Sequence, residues 1–321
     1  MFTCIYNGEK EKKTGKSVFG ETMQKIISED PKAAYLDADL MNSIGTWGLE
    51  EKFKNQVFQC GIQEAHMMGV AGGLAAVGMK PFAHTFASFA SRRVFDQVFI
   101  SIAYAQNSVR VIGSDPGIQA AYNGGTHMPF EDICLYRAIP HATVIEFTDA
   151  AMTASLLQVM KDRPGFTYAR MGRKNSVAVY SEDSTFEIGK GNVLRDGNDV
   201  TFIACGMMVA ESMKAAIELE KEGISAAVID MFTIKPLDED LVTSYAKQTG
   251  AIVTAENGNY VGGLGAAVAT FLSETYPIPV MRIGIKDLFG QVGSVDFLAE
   301  FYGLTAKDLV AAAKKAIALK K

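Results

Sequence analysis

The sequence is short of the parts from which many functional classes are built. It has four cysteines, Cys4, Cys60, Cys134 and Cys205, far apart and without the paired spacing of a zinc or iron–sulfur site. No metal ligand set is predicted. Scattered thiols suit a reducing cytosol better than a disulfide scaffold, so a cytoplasmic location is the expectation. The longest apolar run, residues 67–79, has 13 residues, whereas a bilayer span needs about 20. Residues 1–16 do not read as a basic n-region followed by an apolar h-region. Neither sign of charge dominates: 31 Lys and Arg against 36 Asp and Glu give a net charge of −5. That balance offers no basic footprint for a nucleic-acid backbone or an anionic membrane surface. No G-x-x-x-x-G-K-[ST] loop, G-x-S-x-G elbow or H-E-x-x-H run occurs.

What is present is an ordinary globular mixture, 48% hydrophobic and 21% charged, too apolar for general disorder. At roughly 150 residues per domain, 321 residues predict about two domains. Residues 1–16 read as a polar N-terminal arm. Short apolar runs then alternate with segments of helical spacing. Strands are predicted at 33–36, 57–60, 81–86, 109–113, 141–147 and 166–171. Helices are predicted at 17–28, 64–77, 88–106 and 149–160, the last with Asp149 as its N-cap. A polar stretch, 172–192, interrupts the pattern, which restarts with strands at 199–205, 226–231, 251–255 and 280–285 and ends on a helix at 305–319. The expectation is an α/β chain of two successive domains, 17–180 and 190–321. Each has a mostly parallel sheet flanked by helices.

Four segments have the makings of a site. Gly61-Ile62-Gln63-Glu64-Ala65-His66 follows a strand and opens a small-residue helix. Glu64 there sits near the carboxyl edge of a parallel sheet, where α/β proteins bind ligands. A desolvated carboxyl at that edge can share a proton with a ring nitrogen, although an acid in a first helical turn also simply complements the helix dipole. One strand further on, His84-Thr85-Phe86-Ala87-Ser88-Phe89 places two aromatic rings three residues apart, as plain core or as a face for a flat heterocycle. The glycine-rich loop 114–129 carries Asp115, Asn123, Gly125-Thr126-His127 and Pro129, and long loops of this kind are often functional. Gly262-Gly263-Leu264-Gly265 precedes a helix but misses the G-x-G-x-x-G spacing, so close helix packing is the reading there.

Taken in order, Ala38-Asp39-Leu40, the 61–66 motif, the Phe86/Phe89 segment and Gly125-Thr126-His127 with Pro129 resemble the transketolase family of thiamine-diphosphate enzymes. The stretches 230–238 and 256–265 resemble that family's C-terminal region, so the likeness runs from about residue 15 to the end. It implies a pyrimidine-binding domain over 17–180 and the C-terminal domain over 190–321. The family's diphosphate-binding domain, with its G-D-G…N metal motif, is not in this sequence. The resemblance therefore implies the C-terminal subunit of a split transketolase, transferring a two-carbon ketol unit from a ketose to an aldose. A separate N-terminal subunit would hold magnesium and the diphosphate, around a homodimeric core in an α2β2 assembly.

Residue by residue, the resemblance assigns Glu64 to the pyrimidine N1′ of thiamine diphosphate, where a carboxyl favours the imino tautomer. It assigns Phe86 and Phe89 to the faces of the aminopyrimidine and Asp39 to the cofactor's surroundings where two polypeptides meet. His127 falls near the donor sugar's C1 hydroxyl, and Asn123 where relatives commonly carry an aspartate facing the C2 hydroxyl. Two departures stand out. Asp115 replaces a histidine near the sugar, and Glu146 replaces a phosphate-binding arginine, where an acid would repel a sugar phosphate. Arg92, Arg93, Arg170 or Arg173 are the candidates to compensate. The competing readings are a β-type subunit of a 2-oxo-acid dehydrogenase E1 component and a non-catalytic assembly subunit.

Overall fold

The short β-branched and apolar runs pair into two sheets in the computed structural model, which describes residues 1–320. The strands are β1 (Ala33–Asp37), β2 (Val57–Gln59), β3 (Lys80–Phe86), β4 (Arg110–Ser114), β5 (Thr143–Glu146), β6 (Thr167–Met171), β7 (Asn192–Arg195), β8 (Val200–Ala204), β9 (Ala226–Asp230), β10 (Thr233–Lys235), β11 (Ile252–Asn259) and β12 (Val280–Ile285). The first sheet runs β10-β5-β6-β4-β3-β1-β2 and the second β12-β11-β8-β9-β7. All neighbours are parallel except β10 on β5 and β7 on β9. Every residue of β1, β4, β5, β6, β8 and β9 is buried, as strands covered by helices on both faces must be. The architecture is the expected α/β one, with two mostly parallel sheets flanked by helices.

The order of the first sheet positions the site. From β1 the chain steps outward to β2 on one side, then returns through β3 to β4 on the other. The direction of winding reverses between β1 and β3. Ligands of open α/β sheets bind in the crevice outside the carboxyl ends of the strands at such a reversal. Asp39 and Phe86 leave the sheet at that place.

Three local features depart from the sequence pattern. The segment read as one helix over 88–106 is a run of turns to Val94, then a short α-helix Phe95–Gln97 and a wider π-helix Val98–Tyr104. Ser91 Oγ donates to the Ala87 carbonyl, and Tyr136 donates its hydroxyl to the Ala90 carbonyl, so side chains take up carbonyls that a regular helix would use. The N-terminal arm is not free: its backbone pairs antiparallel with the interdomain stretch through Ile5 N–H to Val179 O (2.8 Å), Ala178 N–H to Glu9 O (2.9 Å) and Glu11 N–H to Ser176 O (2.9 Å). Finally, β10 comes from the second half of the chain but completes the first sheet, with Thr233 opposite Ile145 and Lys235 opposite Val144. Among the described residues no helix is long and apolar enough to cross a membrane.

Candidate active site

The carboxyl ends of β1, β3 and β4 are tied together below the surface. Asp37 at the end of β1 and His84 in β3 are both fully buried and meet at 2.8 Å. The other His84 nitrogen lies 3.0 Å from Ser114 Oγ at the end of β4. Above this layer the backbone turns outward. Gly61 after β2 adopts a positive φ of 70°, which lets the chain reverse directly into the helix Glu64–Ala76. Glu64 is thereby the first helical residue, with only 5% of its surface exposed.

Four groups converge there. Phe86 and Phe89, straddling the turn after β3, have ring centroids 6.0 Å apart. The imidazole of His127 meets both edge-on, at 5.9 Å from Phe86 and 5.0 Å from Phe89. Glu64 Oε1 accepts a hydrogen bond of 2.8 Å from Arg93, whose guanidinium carbon lies 3.7 Å from the centroid of Phe89. His127 Nδ1 lies 2.9 Å from Thr126 Oγ1. Burial, with the positive charges of Arg93 and Arg92 adding, holds His127 below the usual imidazole range, and Asp115 opposes the shift. A neutral imidazole at neutral pH can accept and return a proton.

On the far side of Phe86 the surface turns basic. Arg173 stacks on that ring with its guanidinium 4.8 Å from the centroid. Its Nε donates to Asp115 Oδ2 at 2.8 Å, and Nη1 to the Ser43 carbonyl at 3.2 Å. Lys10, Lys16, Arg173 and Lys174 line a cavity of about 640 Å³ whose other walls are uncharged polar side chains. Arg173 thus joins the aromatic cluster to the cationic hollow, stacking on Phe86 and lining the cavity.

The sequence matches the transketolase pyrimidine-binding domain over residues 11–177 and the transketolase C-terminal domain over residues 189–309. The chain belongs to the transketolase family. It is 45% identical over 298 residues to the 6-deoxy-6-sulfo-D-fructose transketolase subunit SqwH of Clostridium sp. (strain MSTE9), covering 93% of this chain and 92% of that one. It is 34% identical over 292 residues to one subunit of the apulose-4-phosphate transketolase of Phocaeicola vulgatus, covering 91% and 93%. A solved structure described as a split gene transketolase, inactive beta4 tetramer, superimposes with a TM-score of 0.88 at 42% identity, over 96% of this chain and 99% of that one. The pyrimidine-binding and C-terminal domains are those of a split transketolase's C-terminal subunit, and the 2-oxo-acid dehydrogenase reading is set aside.

Within this transketolase frame the sequence-derived residues fall into three groups. Glu64, Phe86, Phe89 and His127 come together, and Asp115 and Arg173 adjoin them as a pair. Asp39 and Asn123 are exposed on the rim: Asp39 holds a φ of 63° with its N–H donating to Gln59 Oε1 at 2.7 Å, and Asn123 ends the 3-10 segment Gly117–Asn123. Arg170 is a correction, and Arg92 is engaged within the chain. Arg92 pairs with Glu131 at 2.7 Å and donates to the Met128 carbonyl at 3.0 Å, with its side chain partly exposed. Arg170 is neither a substrate ligand nor a surface ion pair. It is fully buried, with Asp132 and Glu146 each at 2.9 Å and the Asn257 carbonyl at 2.8 Å. Glu146 is likewise buried and paired with Arg170, which it shares with Asp132, so it does not face a sugar phosphate as the expected repulsion requires.

Four contributors, Asn257, Lys10, Lys16 and Lys174, were not among the sequence-derived site residues. Asn257 clamps the 115–127 loop, accepting from Ile118 N–H at 3.0 Å and donating to the Pro116 carbonyl at 2.9 Å. Lys10 and Lys16 belong to the arm and the first helix, and only the folded chain brings them beside Arg173. The glycines at 262–265 do serve packing. The Glu256 carboxylate accepts from Leu264 and Gly265 N–H at 2.9 and 2.8 Å, so an internal acid caps the helix that an outside phosphate would need.

The donor set at Glu64 fits an aminopyrimidine. The ring needs an acid at one nitrogen and aromatic surfaces above or beside it. Arg93 already shows that a flat, delocalised group with N–H donors can stack on Phe89 and bond to Glu64 at once.

Proposed function

We propose that this chain is the pyrimidine-binding subunit of a two-chain, thiamine-diphosphate-dependent transketolase that moves a two-carbon ketol unit between sugars bearing an anionic tail. The observation that carries this reading is the nearly buried carboxyl of Glu64 joined through Arg93 to the ring of Phe89, with Phe86 and His127 packed against that same ring. When bound, the cofactor supplies the nucleophilic carbon and the electron sink of ketol transfer. Glu64 holds or releases a proton at the pyrimidine nitrogen N1′. Phe86 and Phe89 orient the ring; aromatic stacking adds about 0.5–1.5 kcal/mol beyond area burial, enough to set an angle but not to retain a whole cofactor. His127 shuttles a proton at the sugar's C1 hydroxyl, Asn123 stands toward the C2 hydroxyl, and Asp39 borders the cofactor where the two polypeptides meet.

Lys10, Lys16, Arg173 and Lys174 supply what Glu146 and Arg170 do not, a cationic surface for a phosphate or sulfonate tail. The names of two relatives, for a sulfo-sugar and a sugar phosphate, agree with that chemistry. Magnesium and the diphosphate fall to a separate N-terminal subunit. Along the helix Glu64–Ala76 the Cβ positions of Gly69 and Gly73 meet nothing, leaving a flat face for a second copy and an α2β2 assembly. The test is Glu64→Gln in the assembled complex. Turnover falls by about 10²–10⁴, the usual worth of positioned acid–base catalysis, while assembly and thermal midpoint persist. Turnover at the wild-type level would remove Glu64 from the chemistry.

A further inference from the structure

The two side chains that define the pyrimidine pocket already share a tenant from the same chain. Arg93 leaves the turn after Phe89 and doubles back over it. Its guanidinium carbon lies 3.7 Å from the ring centroid, which is van der Waals contact, so no second ring fits between them. Its Nη1 donates to Glu64 Oε1 at 2.8 Å. Guanidinium is planar, delocalised and rich in N–H donors, and it stacks on aromatic faces. An aminopyrimidine offers the same features in a similar outline. Phe86 and His127 pack against the same Phe89 ring, at centroid distances of 6.0 and 5.0 Å, and the surface of that ring joined to Glu64 is the one that Arg93 covers.

We propose that Arg93 is an internal competitor for the pyrimidine pocket, a built-in stand-in that the cofactor ring must displace. The proposal rests on the reading of Glu64, Phe86 and Phe89 as that pocket. The geometry makes the two occupants mutually exclusive on Phe89. It also makes exchange easy, because the Arg93 side chain is 48% exposed and can swing to solvent by rotation of its own bonds. While it is in place, Glu64 keeps a charge partner instead of lying unpaired in a nearly closed pocket, a situation that is strongly unfavourable for a carboxylate. Arg93 therefore keeps the pocket formed and lowers its affinity at the same time. Cofactor is held firmly only where further contacts, those of the partner subunit, make up the difference.

The test uses the full-length chain and the neutral probe 4-amino-2-methylpyrimidine, titrated by calorimetry at pH 8. It compares wild type, Arg93→Ala, Arg93→Lys and Glu64→Gln, with circular dichroism to confirm folding. Arg93→Ala is expected to bind the probe at least about tenfold tighter than wild type. Arg93→Lys, which keeps the charge but loses the flat stack, falls between them and covers the case in which the alanine variant fails to fold. Added salt, which screens the half-exposed ion pair, should tighten binding to wild type and leave Arg93→Ala unmoved. If Arg93→Ala or Arg93→Lys binds no tighter than wild type while Glu64→Gln abolishes binding, Arg93 is not a competitor although the pocket assignment stands. If the probe binds none of the variants, or binds all of them regardless of Glu64→Gln, the pocket assignment fails and the competitor role with it.

Discussion

Asp37 Oδ2 and His84 Nδ1 lie 2.8 Å apart at the carboxyl ends of β1 and β3, and neither side chain reaches solvent. The same Asp37 oxygen accepts the Tyr35 hydroxyl at 2.8 Å, and its other oxygen accepts the Leu40 N–H. With Ser114 on the far side of the imidazole, one polar knot fastens β1, β3 and β4 just beneath Asp39, Phe86 and Asp115. The knot sets the relative height of three strand ends that each contribute to the site.

Removing the imidazole leaves Asp37 with only the Tyr35 hydroxyl and the Leu40 N–H, and takes from Ser114 Oγ its ring-nitrogen partner. His84→Ala should destabilise the fold by about 2–3 kcal/mol, the scale of two buried hydrogen bonds lost with part of their polar atoms left unpaired. Urea unfolding monitored by circular dichroism measures it. A loss below about 0.5 kcal/mol would mean that the strand ends are held by packing alone.

The cationic hollow makes a prediction about substrate choice. Lys16 lines it and donates to the Asn42 carbonyl at 2.5 Å. Lys16→Ala in the assembled enzyme should raise KM for a phosphorylated or sulfonated ketose about tenfold, near the lower end of a charge-assisted hydrogen bond's worth. It should leave kcat/KM for an uncharged ketose unchanged. Equal losses on both substrates would point to a disturbed loop rather than a lost anion contact.

Stability should depend on pH through Asp230. Burial pushes this carboxyl up to about 7, with Asp149 and Glu146 adding to the shift and hydrogen bonds from Thr148 and Tyr180 opposing it. Its unfolded value is near the ordinary 3.9. Between about pH 4 and pH 7 the folded chain therefore binds more protons than the unfolded one, so this group's contribution to stability declines as pH rises through that window. Asp230→Asn keeps an oxygen for Thr148 and Tyr180 but does not titrate. The difference in thermal midpoint in favour of the variant should grow from pH 5 to pH 8. Parallel curves across that range would show that Asp230 stays ionised in the folded state.

Much of the site could be read before the fold was known, because its parts are local. Glu64 opens a helix directly after a strand, and Phe86 and Phe89 flank one turn, so spacing along the chain brings out each piece. The relation between neighbouring parallel strands then brings them together. What escaped the sequence depends on contacts made across long separations. Arg170 looks like any arginine near a strand end, and only the packing of β5, β6 and the second domain shows it enclosed by Asp132 and Glu146. Lys10 and Lys16 join Arg173 because the arm pairs with residues more than 150 positions away, a placement without local signature. The turns at 87–94 were hidden because their apolar spacing is helical, while hydrogen bonds from Ser91 and Tyr136 decide the backbone path.

The short strand β10 has a bearing on how such a chain can be divided. It lends three residues of the second half to the free margin of the first sheet, beside β5. A cut in the 172–192 stretch would leave β5 as a raw, apolar margin on one fragment and an orphaned ribbon on the other, and exposed margins of that kind invite self-association. The two lobes share that sheet, so a division of the chain between them costs β5 its neighbouring strand.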